Sequence, residues 1–258
     1  MTEPPYELLK APTGSRSELL FICDHAANAV PAGLDLGLAP ELLATHIAYD
    51  IGAAAVTRDL AARFASAAIL ARWSRLIVDL NRGPDDPTIV MKLSDGSIIP
   101  GNRQADAAEV ARRIRIFHQP YHGAIAAAID QLAAKRTLPA LISIHSFTPV
   151  WKGRKRKWDV AVLSDQDRRL ADPLLDHLSA AGFTVGDNEP YSGALEGDTL
   201  NQHGTRNGLP HVLIEIRQDL IGGPAAAQAL TGRLEPILRA ALADLGPIER
   251  FRDEKTHS

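Results

Sequence analysis

The chain has 258 residues, of which 45% are hydrophobic and 23% charged, with a formal net charge of −3. That balance excludes a disordered chain and supplies no global basic face for nucleic acid or an anionic membrane. Cys23 is the single cysteine, which excludes a disulfide framework and a cysteine-only metal site and fits a reducing cytoplasm.

The opening stretch MTEPPYELLKAPTGSRS has no basic region leading into an apolar one, and nowhere are there roughly 18 unbroken apolar residues. Residues 1–258 are read as one cytoplasmic domain, neither exported nor membrane-spanning.

A first apolar run, Leu19 to Cys23, predicts a strand ending in Asp24, His25 and Asn28. A helix is expected from Pro40 to Ala65, followed by strands from Ala67 to Ala71 and Arg75 to Leu80. The helix expected from Ala105 to Lys135 contains Pro120, which removes a backbone donor. A kink near His118 follows, turning Tyr121 and His122 inward. Strands are then expected at Ala140 to Ile144, Asp159 to Leu163, Thr184 to Gly186 and His211 to Ile216. Helices are expected at Asp167 to Ala181 and at Pro224 to Leu245, the second with proline in its first turn. The tail RFRDEKTHS is expected to fray. Alternating short strands and longer helices indicate an α/β fold with a mostly parallel sheet. Two aperiodic segments, Asn81 to Arg103 and Asn188 to Pro210, exceed ordinary loop length, as functional loops do.

Ligands of parallel α/β sheets bind beyond the carboxyl ends of the strands. The residues collected there are Asp24, His25 and Asn28; Asp79, Asn81 and Arg82; His145 and Ser146; and Glu215, Arg217 and Asp219. Taken singly, His25 and His145 are ordinary strand-end histidines. Taken together they suit a catalytic zinc, which needs three protein ligands and keeps one position open. Glu215 is the expected general base beside such a centre, or else a buried partner of Arg217. Arg82 and Arg217 carry guanidinium forks suited to a substrate carboxylate, and equally to structural ion pairs. Asp50, an acid within an expected helix, is either a third ligand or an acceptor for a ligand histidine. It is also expected to meet His46 four residues earlier. Asn28 suits substrate contact or helix capping. Tyr121, His122 and His203 are candidates for gripping substrate or steadying an oxyanion, against plain structural roles. The run KGRKRK between Trp151 and Trp158 has the interleaving of a nucleic-acid patch, but an acidic chain makes a solvated loop the plainer reading. No G-x-S-x-G, P-loop, G-x-G-x-x-G or H-E-x-x-H motif is present.

CDHAANAVP, YDIGA, SRLIVDLNRGPDDPT, IPGN, SIHSFTP and IEIRQDL, in that order and spacing, resemble the N-formylglutamate amidohydrolase family over roughly residues 18–245. The resemblance implies a three-layer α/β/α domain with a mostly parallel mixed sheet, phosphorylase/hydrolase-like and related to zinc carboxypeptidases. It also implies hydrolysis of N-formyl-L-glutamate to formate and glutamate with a divalent metal, usually zinc. Such enzymes place H-x-x-E after one strand, a second histidine after another and a catalytic glutamate on a late strand. His25, His145 and Glu215 match those roles in order, whereas Asn28 stands where the glutamate of H-x-x-E is expected. Asp50 is the replacement for that third ligand.

On this reading His25, His145 and Asp50 or Asn28 hold the metal, and Glu215 activates water. Arg82 and Arg217, with Asn81, hold the carboxylates of a small N-acyl amino acid. Neither nucleic acid nor membrane is an expected partner, and oligomeric state is not legible. Two rivals stand beside it: a deacylase for another N-acyl amino acid or small peptide, and a catalytically weak carboxylate-binding protein.

Overall fold

The structure, a computed structural model, describes residues 3–134 and 138–246. The expected fraying from Arg250 and the Lys135 helix end lie outside the described residues.

In chain order the strands begin with β1 (Tyr6–Leu9), β2 (Leu19–Cys23) and β3 (Ala67–Ala71). A small hairpin, β4 (Leu93–Ser94) and β5 (Ser97–Ile98), precedes the long central β6 (Ala140–Phe147). A second hairpin, β7 (Val150–Trp151) and β8 (Arg154–Lys155), leads to β9 (Val160–Leu163), β10 (Val185–Asp187) and β11 (His211–Arg217). Seven of these form one mixed sheet in the order β1-β3-β2-β6-β11-β9-β10. β3, β2, β6 and β11 run parallel, β9 runs antiparallel to β11, and β1 pairs antiparallel at the edge. Helices flank the sheet, so the α/β class with a mostly parallel mixed sheet is the fold observed.

The helices are α1 (Pro40–Leu43), α2 (Ala53–Arg63), α3 (Pro100–Arg103), α4 (Ala107–Arg113) and α5 (Gln119–Ala133), then α6 (Ala171–Ala180), α7 (Thr199–His203) and α8 (Pro224–Asp244). Side chains alternate across each strand. One sheet face sends Phe21, Ile142, Ile144, Val212 and Ile214 into a core shared with α2, α6 and α8. The other sends Leu20, Ile22, Leu141 and Leu213 against α5 and the long loops. On this second face the apolar series stops toward the strand ends, where Ser143 and His145 follow Leu141, and Glu215 follows Leu213. That change of residue type is where the site begins.

Three sequence expectations fail locally. The helix from Pro40 to Ala65 is two helices, α1 and α2, separated by turns. Gly52 lies between them at φ +84°, and a Cβ there would meet the Ile221 carbonyl oxygen at 2.4 Å. Asp50 is therefore in a turn, its N–H donating to His25 O at 2.9 Å. The expected contact with His46 is absent because His46 Nε2 pairs with Asp95 Oδ2 at 2.9 Å.

Arg75 to Leu80 is not a strand, although Leu76, Ile77 and Val78 are buried. Its backbone groups are taken from outside any ladder: Asn102 Nδ2 donates to Leu76 O at 2.7 Å and Arg113 donates to Ile77 O at 3.0 Å. Asp79 N–H donates to Ile89 O at 2.7 Å. Buried backbone polar groups need partners, and here side chains supply them.

The irregularity expected near His118 takes the form of a π-turn at Ile114–His118, joining α4 to α5. Pro120 has no N–H for the carbonyl four residues back, and Gln119 N–H donates to Ile114 O, five residues back. Tyr121 and His122 are buried beyond it.

Candidate active site

β2, β6 and β11 lie side by side and parallel, so their carboxyl ends share one rim. His25 follows β2, while His145 and Glu215 are register partners on β6 and β11. Asp50 reaches the same point from the turn before α2. His25 Nδ1 lies 3.4 Å from Asp50 Oδ2, and His145 Nδ1 lies 2.8 Å from the same oxygen. Donor atoms of these three side chains all fall within 4.8 Å of one another, and all three residues are buried.

A second layer of carboxylates fixes both rings. His25 Nε2 donates to Asp79 Oδ1 at 2.7 Å, and His145 Nε2 donates to Asp24 Oδ2 at 3.1 Å. His145 Nδ1 faces Asp50 Oδ2 at 2.8 Å and donates to it when the ring is protonated; with both rings neutral, the two Nδ1 atoms are the ones left beside Asp50 for a cation. Asp24 is itself held by Tyr121 Oη at 2.9 Å and Thr199 Oγ1 at 2.8 Å. Carboxylate–histidine pairs of this kind orient metal ligands and raise their basicity.

Electrostatics favour a cation here. Burial works against the Asp24 charge, but the hydrogen bond and charge of His145 outweigh it and hold the carboxyl at about 2. Asp50 and Asp79 are likewise pulled below the usual range despite burial, chiefly by His25 in one case and Arg75 in the other. Burial lowers the pKa of both imidazoles, yet the surrounding carboxylates raise His25 and His145 on balance. With neutral imidazoles, three carboxylates against the one guanidinium of Arg75 leave an excess of two negative charges, which a divalent ion balances. His25 Nδ1 is a buried atom with no hydrogen-bond partner. These residues fit a zinc-type centre.

Glu215 faces the cluster. Burial, reinforced by the charge of Asp50 and moderated by His145, pushes its carboxyl up to about 7, and its Oε2 is buried without a hydrogen-bond partner. Arg75 braces the acids: its guanidinium donates to Asp79 Oδ2 at 3.0 Å and to Asp50 Oδ1 at 3.4 Å.

A cavity of about 230 Å³ opens over this cluster. His25, Asp50, His145, Glu215 and Arg75 line one part of it, and Asn81 and Arg82 line it as the sequence suggested. Asn81 Oδ1 also accepts from Thr199 N–H at 3.1 Å, and Arg82 has only loose ion pairs with Asp79 and Asp86, at 4.0 and 3.8 Å.

The remaining candidates are elsewhere. Asn28 donates to Leu43 O at 2.9 Å and does not line the cavity. Arg217 is turned to Asp219 at 2.8 Å, Asp159 at 3.2 Å and the Trp158 carbonyl, away from the cavity. Tyr121 supports Asp24 from within the core. His203 Nε2 donates to His122 Nδ1 at 2.9 Å, since His122 Nε2–H is committed to Leu80 O at 2.9 Å. His118 Nε2 donates to Arg82 O at 2.9 Å. Burial pulls all three of these histidines down, His122 to about 3 and His203 to about 4, so they form a neutral brace under the Leu80–Arg82 backbone. The basic hairpin is exposed, and Arg156 packs within 5.5 Å of the rings of Phe147, Trp151 and Tyr191.

Sequence reasoning missed Arg75 as a brace and Asp198 as a cavity residue. Arg75 carried a signal, since it stands four residues before Asp79, but the segment was read as a strand.

A family model described as N-formylglutamate amidohydrolase matches residues 17–222. Among solved structures, gene product Atu2144 of Agrobacterium tumefaciens is 34% identical, with 94% of this chain and 96% of that one covered and a TM-score of 0.89. An N-formylglutamate amidohydrolase of Ralstonia eutropha JMP134 is 24% identical, with 93% and 98% covered and a TM-score of 0.69, a likeness of fold. No curated protein matches the chain.

Proposed function

As this chain belongs to the N-formylglutamate amidohydrolase family and is an amidohydrolase, we propose that it cleaves the amide of a small N-acyl amino acid. N-formyl-L-glutamate is the substrate the family description names, and formate is then the released acid. The observation that carries this reading is the convergence of His25, His145 and Asp50 beneath Glu215, in a cavity whose wall carries Arg82.

His25, His145 and Asp50 are the residues that would hold zinc or another divalent cation. When bound, such an ion supplies Lewis-acid polarisation of the acyl oxygen and acidification of water. Glu215 takes the proton of the attacking water on its carboxylate and returns it to the leaving nitrogen. A carboxyl near 7 suits both transfers at neutral pH. Arg82 holds the substrate carboxylate, and Asn81, fixed by Thr199, keeps Arg82 and its backbone in place. Asp79 and Asp24 keep the two histidines in the ligand tautomer, and Arg75 keeps Asp50 and Asp79 ionised.

The test is release of free amino acid and formate from a panel of N-formyl amino acids, before and after chelation and zinc re-addition. Chelator-sensitive, zinc-restored hydrolysis is expected. Binding of N-acyl amino acids without hydrolysis under any metal supplement would replace the enzyme reading with that of a carboxylate-binding protein.

A further inference from the structure

We propose that the substrate of this site carries a single carboxylate and a neutral, largely apolar side chain, rather than the second carboxylate of an acidic amino acid. The inference rests on the N-acyl amino acid reading above and narrows its substrate class.

The cavity extends away from the catalytic cluster along one strand. Glu215, Leu213 and His211 stand on the same face of β11 and all line it. At about 3.3 Å per residue, His211 is roughly 13 Å from Glu215 along the strand. Leu163, the register partner of Leu213 on β9, walls the same far end, and Leu195 and Leu200 close it from the segment before β11. These leucines make an apolar compartment beyond the reacting centre.

Neither titratable group lining this compartment is a cation. His211 is a neutral imidazole: its Nδ1–H donates to Leu209 O at 2.8 Å, its Nε2 accepts from Thr205 Oγ1 at 3.1 Å, and burial pulls its pKa down. Asp198 is an acid whose side chain caps α7 by accepting from Asn201 N–H at 2.7 Å. A second carboxylate in this compartment would be desolvated beside Asp198 with no cation among the described lining residues to pair it.

Across the wall guanidinium groups are fewer than carboxylates, two against Asp50, Asp198 and Glu215. Among the described residues lining the cavity, the cations are Arg75 and Arg82. Arg75 is already shared between Asp79 and Asp50. Arg82, with ion pairs no shorter than 3.8 Å, is the guanidinium left to grip a substrate. One free fork matches one carboxylate.

The experiment uses the zinc-supplemented full chain at pH 8 with N-formyl-L-leucine, N-formyl-L-glutamine and N-formyl-L-glutamate. Glutamine and glutamate are near-isosteric, so their ratio reads charge alone. The expected kcat/KM values for leucine and glutamine exceed that for glutamate by roughly tenfold or more. Asp198→Asn keeps the helix cap and removes the charge, so it should raise the glutamate-to-glutamine ratio severalfold. A wild-type enzyme that takes glutamate as well as or better than glutamine overturns the inference while leaving the amidohydrolase reading intact. If none of the three is hydrolysed, the reading of the reaction fails instead. Calorimetric binding of the same compounds then decides the inference: tighter N-formyl-L-leucine supports it, and tighter N-formyl-L-glutamate, or binding of neither, overturns it.

Discussion

Replacing Glu215 with glutamine separates chemistry from stability, because the two effects have opposite signs. The substitution conserves shape and removes the ionisation. The native carboxyl titrates near 7 against 4.5 in the unfolded chain, because burial disfavours its charge. The folded state therefore binds more protons than the unfolded state between those values, and folding stability falls as pH rises through the window. The penalty is absent below pH 4.5 and complete above pH 7, where it amounts to about 3 kcal/mol. Glu215→Gln should thus be more stable than wild type at pH 8 by up to that amount and equal to it at pH 4.5. Turnover should fall by roughly 10²- to 10⁴-fold, the usual worth of a positioned proton carrier. Oε2 has no hydrogen bond to lose, so KM should hardly move. Urea unfolding of chelated protein at both pH values, with steady-state kinetics on the zinc-loaded enzyme, reads both effects. Full turnover in the variant refutes Glu215 as the base, and a variant less stable than wild type at pH 8 refutes the burial argument.

Three further predictions follow the same reasoning. Arg82→Ala should raise KM by roughly 10- to 100-fold with a smaller change in kcat, the loss of a charge-assisted hydrogen bond to the bound carboxylate; an unchanged KM removes Arg82 from the binding site. Asp79→Asn should weaken zinc affinity by roughly 10- to 100-fold in competition with a chromophoric chelator, because His25 loses the carboxylate that orients it. In a Glu215→Gln, Asp198→Asn background, which removes two buried carboxyls raised to about 7 and about 6 that would titrate here with the opposite sign, chelated protein should lose on the order of 3 kcal/mol of stability between pH 6.5 and 4.5, measured by urea unfolding. Folded His122 and His203 stay neutral to about 3 and 4 while the unfolded histidines take up protons; a flat profile contradicts a neutral brace.

Much of the site was legible because strand-end chemistry depends on local order along the chain. His25, His145 and Glu215 each interrupt an apolar alternation at the carboxyl end of a strand. That pattern is visible without coordinates. The roles of Asn28, Arg217, Tyr121 and His203 were not legible, because their hydrogen bonds go to groups the sequence does not place beside them: the Leu43 carbonyl, Asp159, Asp24 and His122. The apolar run from Leu76 to Val78 misled for a related reason. Burial makes such a run look like a strand, but Asn102 and Arg113, distant in sequence, take the carbonyls that a neighbouring strand would use. Asp50 was named from its chemistry, and its position in a turn rather than a helix follows from the contact between Gly52 and Ile221.

The central claim is that His25, His145 and Asp50 together hold one divalent ion. The direct measurement is zinc stoichiometry by equilibrium dialysis of wild type and Asp50→Ala, with circular dichroism to confirm folding. One zinc per wild-type chain and none in the folded variant is the predicted result; no zinc in wild type, or full occupancy after loss of Asp50, contradicts it.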